Sequence, residues 1–282
     1  MAIRNLFHQR PRTAFVLGGG GNLGAVQVGQ LRALLEHEIV PDVIIGCSVG
    51  ALNGAAIAGD PTLAEVERLA DLWRGLGPQD IFPTNRLGRG PWMFVRTGLS
   101  AYSDHGLRRV IDGWLQYRLF EETKIPFCVV ATSLATGREH LFQSGDVRRP
   151  LMASTALPGV FPPVAIDGHV YMDGGVVNNV PVSKAFDLKA KKVYVLDVGS
   201  LERDRKEPKR PYEVLLQAVS IARASRFRID QENVPDGVQL VRMPGVDAGR
   251  LRYDNFTRSA ELIERSYKAS TAFLNNTHEA IA

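Results

Sequence analysis

The 282 residues carry 45% hydrophobic and 23% charged side chains, ordinary globular values that exclude a disordered, collagen-like or disulfide-scaffolded chain. The 34 Lys and Arg against 30 Asp and Glu leave a net charge of +4, too small to imply nucleic acid but compatible with an anionic membrane surface. No run reaches the ~18 apolar residues of a spanning helix, and MAIRNLFHQRPRT puts charge and Pro where a signal peptide needs an apolar stretch, so a cytoplasmic protein is expected.

In chain order, Thr13 to Leu17 (TAFVL) reads as a short buried strand that runs into four glycines. Asn22 to Glu38 follows with helical spacing at Val26, Leu31, Leu34 and Leu35. A second apolar run, VIIGC, breaks at Ser48 into the small-residue segment SVGALNGAAIAG, so the unit strand, sharp turn, helix repeats. Thr62 to Trp73 is a third helix, with Thr62 as N-cap and Glu65 placed for a capping box. From Gly77 to Ser103 glycines and prolines interleave with Phe82, Trp92, Met93, Phe94 and Tyr102 and no period survives; such loops are usually functional.

Asp104 to Gln116 resumes helical spacing, and Phe127 to Thr132, Val193 to Val198 and Val238 to Val241 read as buried strands, with hairpin-like stretches around Gly137 and Gly168. Leu201 to Pro211 reads as an exposed charged loop. Beyond it, Tyr212, Leu215, Leu216, Val219 and Ala222 form one helical stripe, and Phe256, Ile263, Tyr267 and Leu274 another, both read as core faces. Strands alternating with helices, and strands apolar throughout, predict a mainly parallel sheet covered on both sides. Cys47 and Cys128 lie in apolar β-like runs, so buried free thiols are expected and a disulfide is not.

Two motifs leave the ends of neighbouring strands, where open α/β sheets bind ligands. Gly18-Gly19-Gly20-Gly21-Asn22-Leu23-Gly24 contains G-x-G-x-x-G and opens a helix whose N–H groups suit a pyrophosphate or a reaction oxyanion. A dinucleotide site wants an acidic residue at the end of the second strand; Cys47-Ser48 stands there instead. Gly46-Cys47-Ser48-Val49-Gly50 matches the G-x-S-x-G nucleophile elbow, with a glycine turn capped by serine as the alternative reading.

The six histidines are weak candidates for a base to Ser48, and only His278 follows both Ser48 and a plausible acid, as the α/β-hydrolase order requires. Asp173, held between an apolar strand and Gly174-Gly175, could serve directly, although Asp before Gly also reads as a plain turn residue.

Taken together and in this order, GGGGNLG, GCSVG and DGG resemble the patatin-like phospholipases, as do the stretches STALPGVFPPV and DGGVVNNVPV. The resemblance implies a three-layer α/β/α sandwich over residues 10–282, with Ser48 as nucleophile and Asp173 as base of a Ser-Asp dyad. It makes Gly19, Gly20, Gly21, Asn22, Leu23 and Gly24 the oxyanion loop, and Gly46, Cys47, Val49 and Gly50 the elbow. The implied substrate is a lipid or acyl ester, with neither metal nor organic cofactor. The aromatic 77–103 segment reads either as a lid or bilayer-touching rim or as packing inward over the helices, and Arg223, Arg226 and Arg228 read either as a contact for anionic headgroups in peripheral membrane contact or as a solvated basic face. Leu23 departs from the family's usual Arg or Lys, so a slower or narrower enzyme is expected. The competing reading is a non-catalytic lipid-binding protein on the same fold.

Overall fold

The computed structural model describes residues 12–82, 100–198, 211–249 and 254–279. The apolar runs form β1 (Thr13–Leu17), β2 (Val43–Cys47), β3 (Phe127–Ser133), β7 (Lys192–Leu196) and β8 (Gln239–Arg242). Between them in sequence come β4 (Glu139–Phe142), β5 (Val164–Ile166) and β6 (His169–Asp173). The sheet order is β5-β6-β3-β2-β1-β7-β8, with β4 also paired to β3. β3, β2, β1, β7 and β8 run parallel, and β4, β5 and β6 are antiparallel additions.

The helices are α1 (Gly24–Glu36), α2 (Val49–Gly59), α3 (Leu63–Gly75), α4 (Pro78–Ile81), α5 (His105–Trp114), α6 (Arg148–Ser154), α7 (Val182–Asp187), α8 (Pro211–Glu232) and α9 (Ser259–Glu279). Strand alternation sends Phe15, Leu17, Ile44, Val129 and Leu196 into one core with α1, α2, α3 and α9. The intervening residues Ala14, Val16, Ile45, Cys47 and Val195 pack against α7 and against Phe227 of α8. Helices therefore cover both faces of a mainly parallel sheet, the three layers expected, and the parallel strands are apolar throughout because neither face meets water. Among the described residues no helix is long and apolar enough to cross a membrane.

The order of pairing brings two chain ends together. Ala131 and Thr132 on β3 pair with both β4 and β6. A strand has only two edges, so β6 occupies the edge that β2 vacates after Cys47 pairs with Val130. β2 runs parallel to β3 and β6 antiparallel, so the two approach end to end, and Asp173, opposite Ala131, arrives where Ser48 turns away.

Several local expectations change. Thr62 caps α3 by accepting from the Glu65 N–H at 3.2 Å, but the Glu65 carboxylate binds Arg68 instead of closing a capping box. The 77–103 stretch contains α4 and a bridge from Ser100 to Gly159; residues 83–99, with Trp92, Met93 and Phe94, lie outside the described residues. So does 201–210, while Pro211 opens α8 instead of ending a loop.

The stripe assigned to α8 is wrong where it can be tested: Ala222 is exposed and Val219 half-buried, and the buried residues are Ala224, Phe227 and Asp230. On α9, Ile263 and Leu274 are core as expected, but Phe256 precedes the helix and Ser266 and Ser270 share its inward face. These serines keep α9 close to α1, where Ser266 Oγ donates to the Val26 carbonyl at 2.7 Å. A Cβ on Gly29 would overlap the α9 backbone at Ile263 and Tyr267. Gly29→Ala is expected to cost about 1–3 kcal/mol, read as a lower urea midpoint at unchanged slope.

Candidate active site

Ser48 ends β2 and caps α2 with φ +54°, a left-handed conformation costing a non-glycine residue about 1–3 kcal/mol. Its surroundings enforce that geometry. The Ser48 N–H donates to Ser154 Oγ at 2.8 Å, and the Ser154 hydroxyl donates to the Val130 carbonyl at 2.6 Å, tying the elbow to α6 and β3. A side chain on Gly46 would strike the Ala51 backbone, and one on Gly50 the Leu17 carbonyl. The elbow glycines are thus needed for close backbone approach.

The Ser48 hydroxyl donates to Asp173 Oδ2 at 2.7 Å. Asp173 is fully buried, and its other oxygen, Oδ1, accepts the Gly175 N–H at 2.7 Å. One carboxylate oxygen thus closes the turn expected of Asp before Gly, and the other accepts from the Ser48 hydroxyl. Its N–H donates to Ala156 and its carbonyl accepts from Thr132, so the residue is held on every side. Burial pushes the Asp173 carboxyl above the usual carboxylate range, while the Arg223 charge, the Ser48 hydroxyl and the Gly175 N–H pull it back.

Among the described residues no histidine hydrogen-bonds Ser48 or Asp173. His37 contacts Ala33 and Asn275, and His140 packs beside Phe142 and Tyr171. The side chain of His278, and all of His8, lie outside the description. Cys47 and Cys128 are free and buried. Burial and the Asp173 charge raise the Cys47 thiol well above its usual range, and burial pushes Cys128 up to about 12, so neither offers a thiolate. No group of three or more His, Cys, Asp and Glu suited to a metal occurs among the described residues.

The glycine loop is fixed from behind. The Gly19 N–H donates to the Asn179 carbonyl at 2.9 Å, and Asn179 Nδ2 returns a bond to the Gly19 carbonyl at 3.1 Å. Gln27 Nε2 donates to the Gly18 carbonyl, Asn53 Nδ2 to Gln27 Oε1 and the Gly24 carbonyl, and Trp73 Nε1 to Asn53 Oδ1. A buried amide chain with partners at each step is rigid. The N–H groups of Gly20 and Gly21 make no hydrogen bond among the described residues, and Gly21 and Asn22 border the space in front of Ser48. Leu23 is 3% exposed, packs in the core and is not among the residues lining that space.

That space is a cavity of about 120 Å³ beginning at Ser48, with walls from Leu72, Trp73, Val110, Trp114, Phe161 and Phe256. Its lining is mainly apolar, with Asn22, Ser48, Asn53 and Thr155 as the polar members. Arg223 and Arg226, expected on a solvated or headgroup-binding face, turn inward: Arg223 binds the Gly175 carbonyl at 2.6 Å, and Arg226 pairs with Asp230. Only Arg228 of the three is exposed. Reasoning from sequence missed Ser154, Asn53, Gln27 and the inward Arg223. Asn179 lay in a noted stretch, DGGVVNNVPV, without an assigned part.

Three relatives match similar lengths of the chain. Patatin-like phospholipase domain-containing protein 7 of Mus musculus is 33% identical over 196 residues, covering 66% of this chain and 14% of that protein. Patatin-like phospholipase domain-containing protein 6 of Homo sapiens is 31% identical over 189 residues, 66% of this chain and 13% of that one. A lysophospholipase of Scheffersomyces stipitis is 32% identical over 200 residues, 66% and 12% of the two chains. This chain thus spans about one-seventh of the length of the mouse relative. The crystal structure of VipD from Legionella pneumophila superposes with a TM-score of 0.49 at 13% identity, over 95% of this chain and 67% of that one. The family model for patatin-like phospholipases matches residues 15–186, a span that runs from the strand before the glycine loop through the elbow and the aspartate turn and takes in well over half of the chain, which therefore belongs to that family.

Proposed function

We propose that this protein is a lipid acyl hydrolase of phospholipase A or lysophospholipase type, cleaving carboxylic esters through an acyl-serine intermediate. The observation that carries the reading is the 2.7 Å bond from the Ser48 hydroxyl to Asp173 Oδ2 at the head of an apolar cavity. Ser48 Oγ attacks the ester carbonyl while Asp173 takes its proton. The oxyanion develops beside the Gly20 and Gly21 N–H groups and the N-terminus of α2, whose dipole favours negative charge. Collapse returns the proton from Asp173 to the departing alcohol. Water, deprotonated by Asp173, then attacks the acyl-serine, and collapse releases the fatty acid as Asp173 returns the proton to Ser48 Oγ.

The mainly apolar cavity suits the acyl chain, and Ser48 in its wall would meet the scissile bond. The names of the relatives, phospholipase and lysophospholipase, agree with such a substrate. Because that substrate is held in lipid surfaces, the proposed setting is cytoplasmic with peripheral membrane contact. Leu23, the one feature favouring a binding-only protein, is a packing residue and leaves the loop N–H groups in place. The deciding experiment is a panel of acyl esters and lysophospholipids together with a fluorophosphonate probe. Turnover and labelling at Ser48 are expected, and a well-folded protein showing neither would overturn the reading. Val110→Trp, which fills the cavity, is expected to lower kcat/KM for long-chain relative to short-chain esters about tenfold.

A further inference from the structure

The Ser48–Asp173 pair is served by a residue from far down the chain. Arg223 sits on α8, beyond the 15–186 span that matches the family. Its Nε donates to the Gly175 carbonyl at 2.6 Å, and its Nη2 lies 3.9 Å from Asp173 Oδ1. The Gly175 N–H in turn holds Asp173 Oδ1. A Cβ on Gly175 would stand 3.0 Å from Arg223 Nη2 and 2.9 Å from Asp173 Oδ1, and would collide with Asn179 Oδ1. The second glycine of the Asp-Gly-Gly turn is thus the opening through which the guanidinium reaches the aspartate.

We propose that Arg223 is a positioning residue for the dyad, clamping the Gly175 turn and holding Asp173 as an ionised acceptor for the serine proton. The proposal rests on the hydrolase reading above. The groups around Asp173 leave this part to Arg223. The β2 elbow presents the Ser48 hydroxyl and the Cys47 thiol, β3 presents the Thr132 hydroxyl, and α8 presents Arg223. Glu139 on β4, the nearby acid, is engaged by Lys184 and by Asn178 Nδ2. A buried carboxylate without a cation takes up a proton at higher pH, and an opposite charge within ~4–6 Å resists that uptake.

The consequence is a trade. Arg223 keeps the base charged at neutral and mildly acidic pH while making it a weaker proton acceptor. Without the charge, the acid limb of the rate profile moves to higher pH. Without the Nε bond, the turn loosens and the rate falls at every pH.

The test is the pH dependence of Ser48 labelling by a fluorophosphonate, and of kcat/KM on a soluble ester, in Arg223→Gln and Arg223→Lys. In Arg223→Gln the acid limb is expected about one pH unit higher. In Arg223→Lys, which keeps the charge but cannot reproduce the guanidinium fork, the limb is expected near that of the wild type with a lower plateau. Thermal melts identify a misfolded variant, and if Arg223→Gln is one, the Arg223→Lys profile decides alone. An unmoved limb in folded Arg223→Gln, or a limb in Arg223→Lys displaced as far as about one pH unit, overturns the proposal. Asp173→Asn run alongside separates the two claims: if it labels as fast as the wild type, the dyad reading fails, whereas an inert Asp173→Asn with an unmoved Arg223→Gln limb rejects the Arg223 proposal alone.

Discussion

Asp173→Asn is expected to lose about 10⁴-fold in kcat with little change in fold, and Ser48→Ala at least as much. The substitution keeps the shape of the side chain and its acceptor for the Gly175 N–H, but places an amide NH₂ against the Ser48 hydroxyl in place of Oδ2. The amide donates to Ser48 Oγ instead of accepting from it, and nothing removes the serine proton. Stability moves the other way. The carboxyl is raised by burial in the folded chain, so it titrates above its unfolded value, and whatever it contributes is present at low pH and lost as pH rises through the folded value. At neutral pH the ionised form therefore costs stability, and the neutral amide removes that cost. A melting temperature for Asp173→Asn at or above that of the wild type at pH 7, together with lost turnover, is the expected pair of results. Retained turnover would point to another base, and a clear fall in melting temperature would mean that the carboxylate is structural.

How much of this was visible in the sequence differs residue by residue. β1, the glycine turn, β2 and the Ser48 elbow are local features: a short apolar run, glycines at fixed offsets and a small-residue helix all declare themselves within about fifteen residues. Asp173 is different, because Asp before Gly reads locally as a turn, and the partner that meets its second carboxylate oxygen, the serine hydroxyl, comes from 125 residues away. That partner is delivered by β6 taking the edge of β3 that β2 gives up, which no local pattern encodes. Ser154 and Asn53 have no signature at all, since a polar residue on a buried helix looks the same whether it braces an elbow or caps a turn. Arg223 stood among other arginines in a polar helix and read as surface. The opening at Gly175 that admits it exists only after the turn has folded.

Gly50→Ala is expected to lower stability by about 3 kcal/mol and to reduce turnover by about 10²-fold even in the folded fraction. The site has room in front of Ser48 and none behind it. A methyl on Gly50 would enter the Leu17 carbonyl and come within 2.6 Å of the Gly18 carbonyl, both backbone atoms that no rotamer change can move. These atoms belong to the end of β1 and the start of the glycine loop, so relief requires α2 and the loop to part. The Gly18 N–H and carbonyl are already engaged by Leu196 and Gln27, so parting also breaks bonds that fix the loop. Ser48, two residues earlier in the elbow, moves with α2, and its 2.7 Å bond to Asp173 lengthens. A displacement of about 1 Å between reacting groups costs about two orders of magnitude in rate. Gly137→Ala, in the turn between β3 and β4, is the control: Gly137 has φ +63° and nothing within 4 Å of an added Cβ, so backbone strain without collision is expected to cost only about 1–2 kcal/mol. Urea midpoints and single-turnover acylation rates for the two variants distinguish collision from strain, and equal losses in both would show that the tight contact between α2 and the glycine loop does not set the position of Ser48.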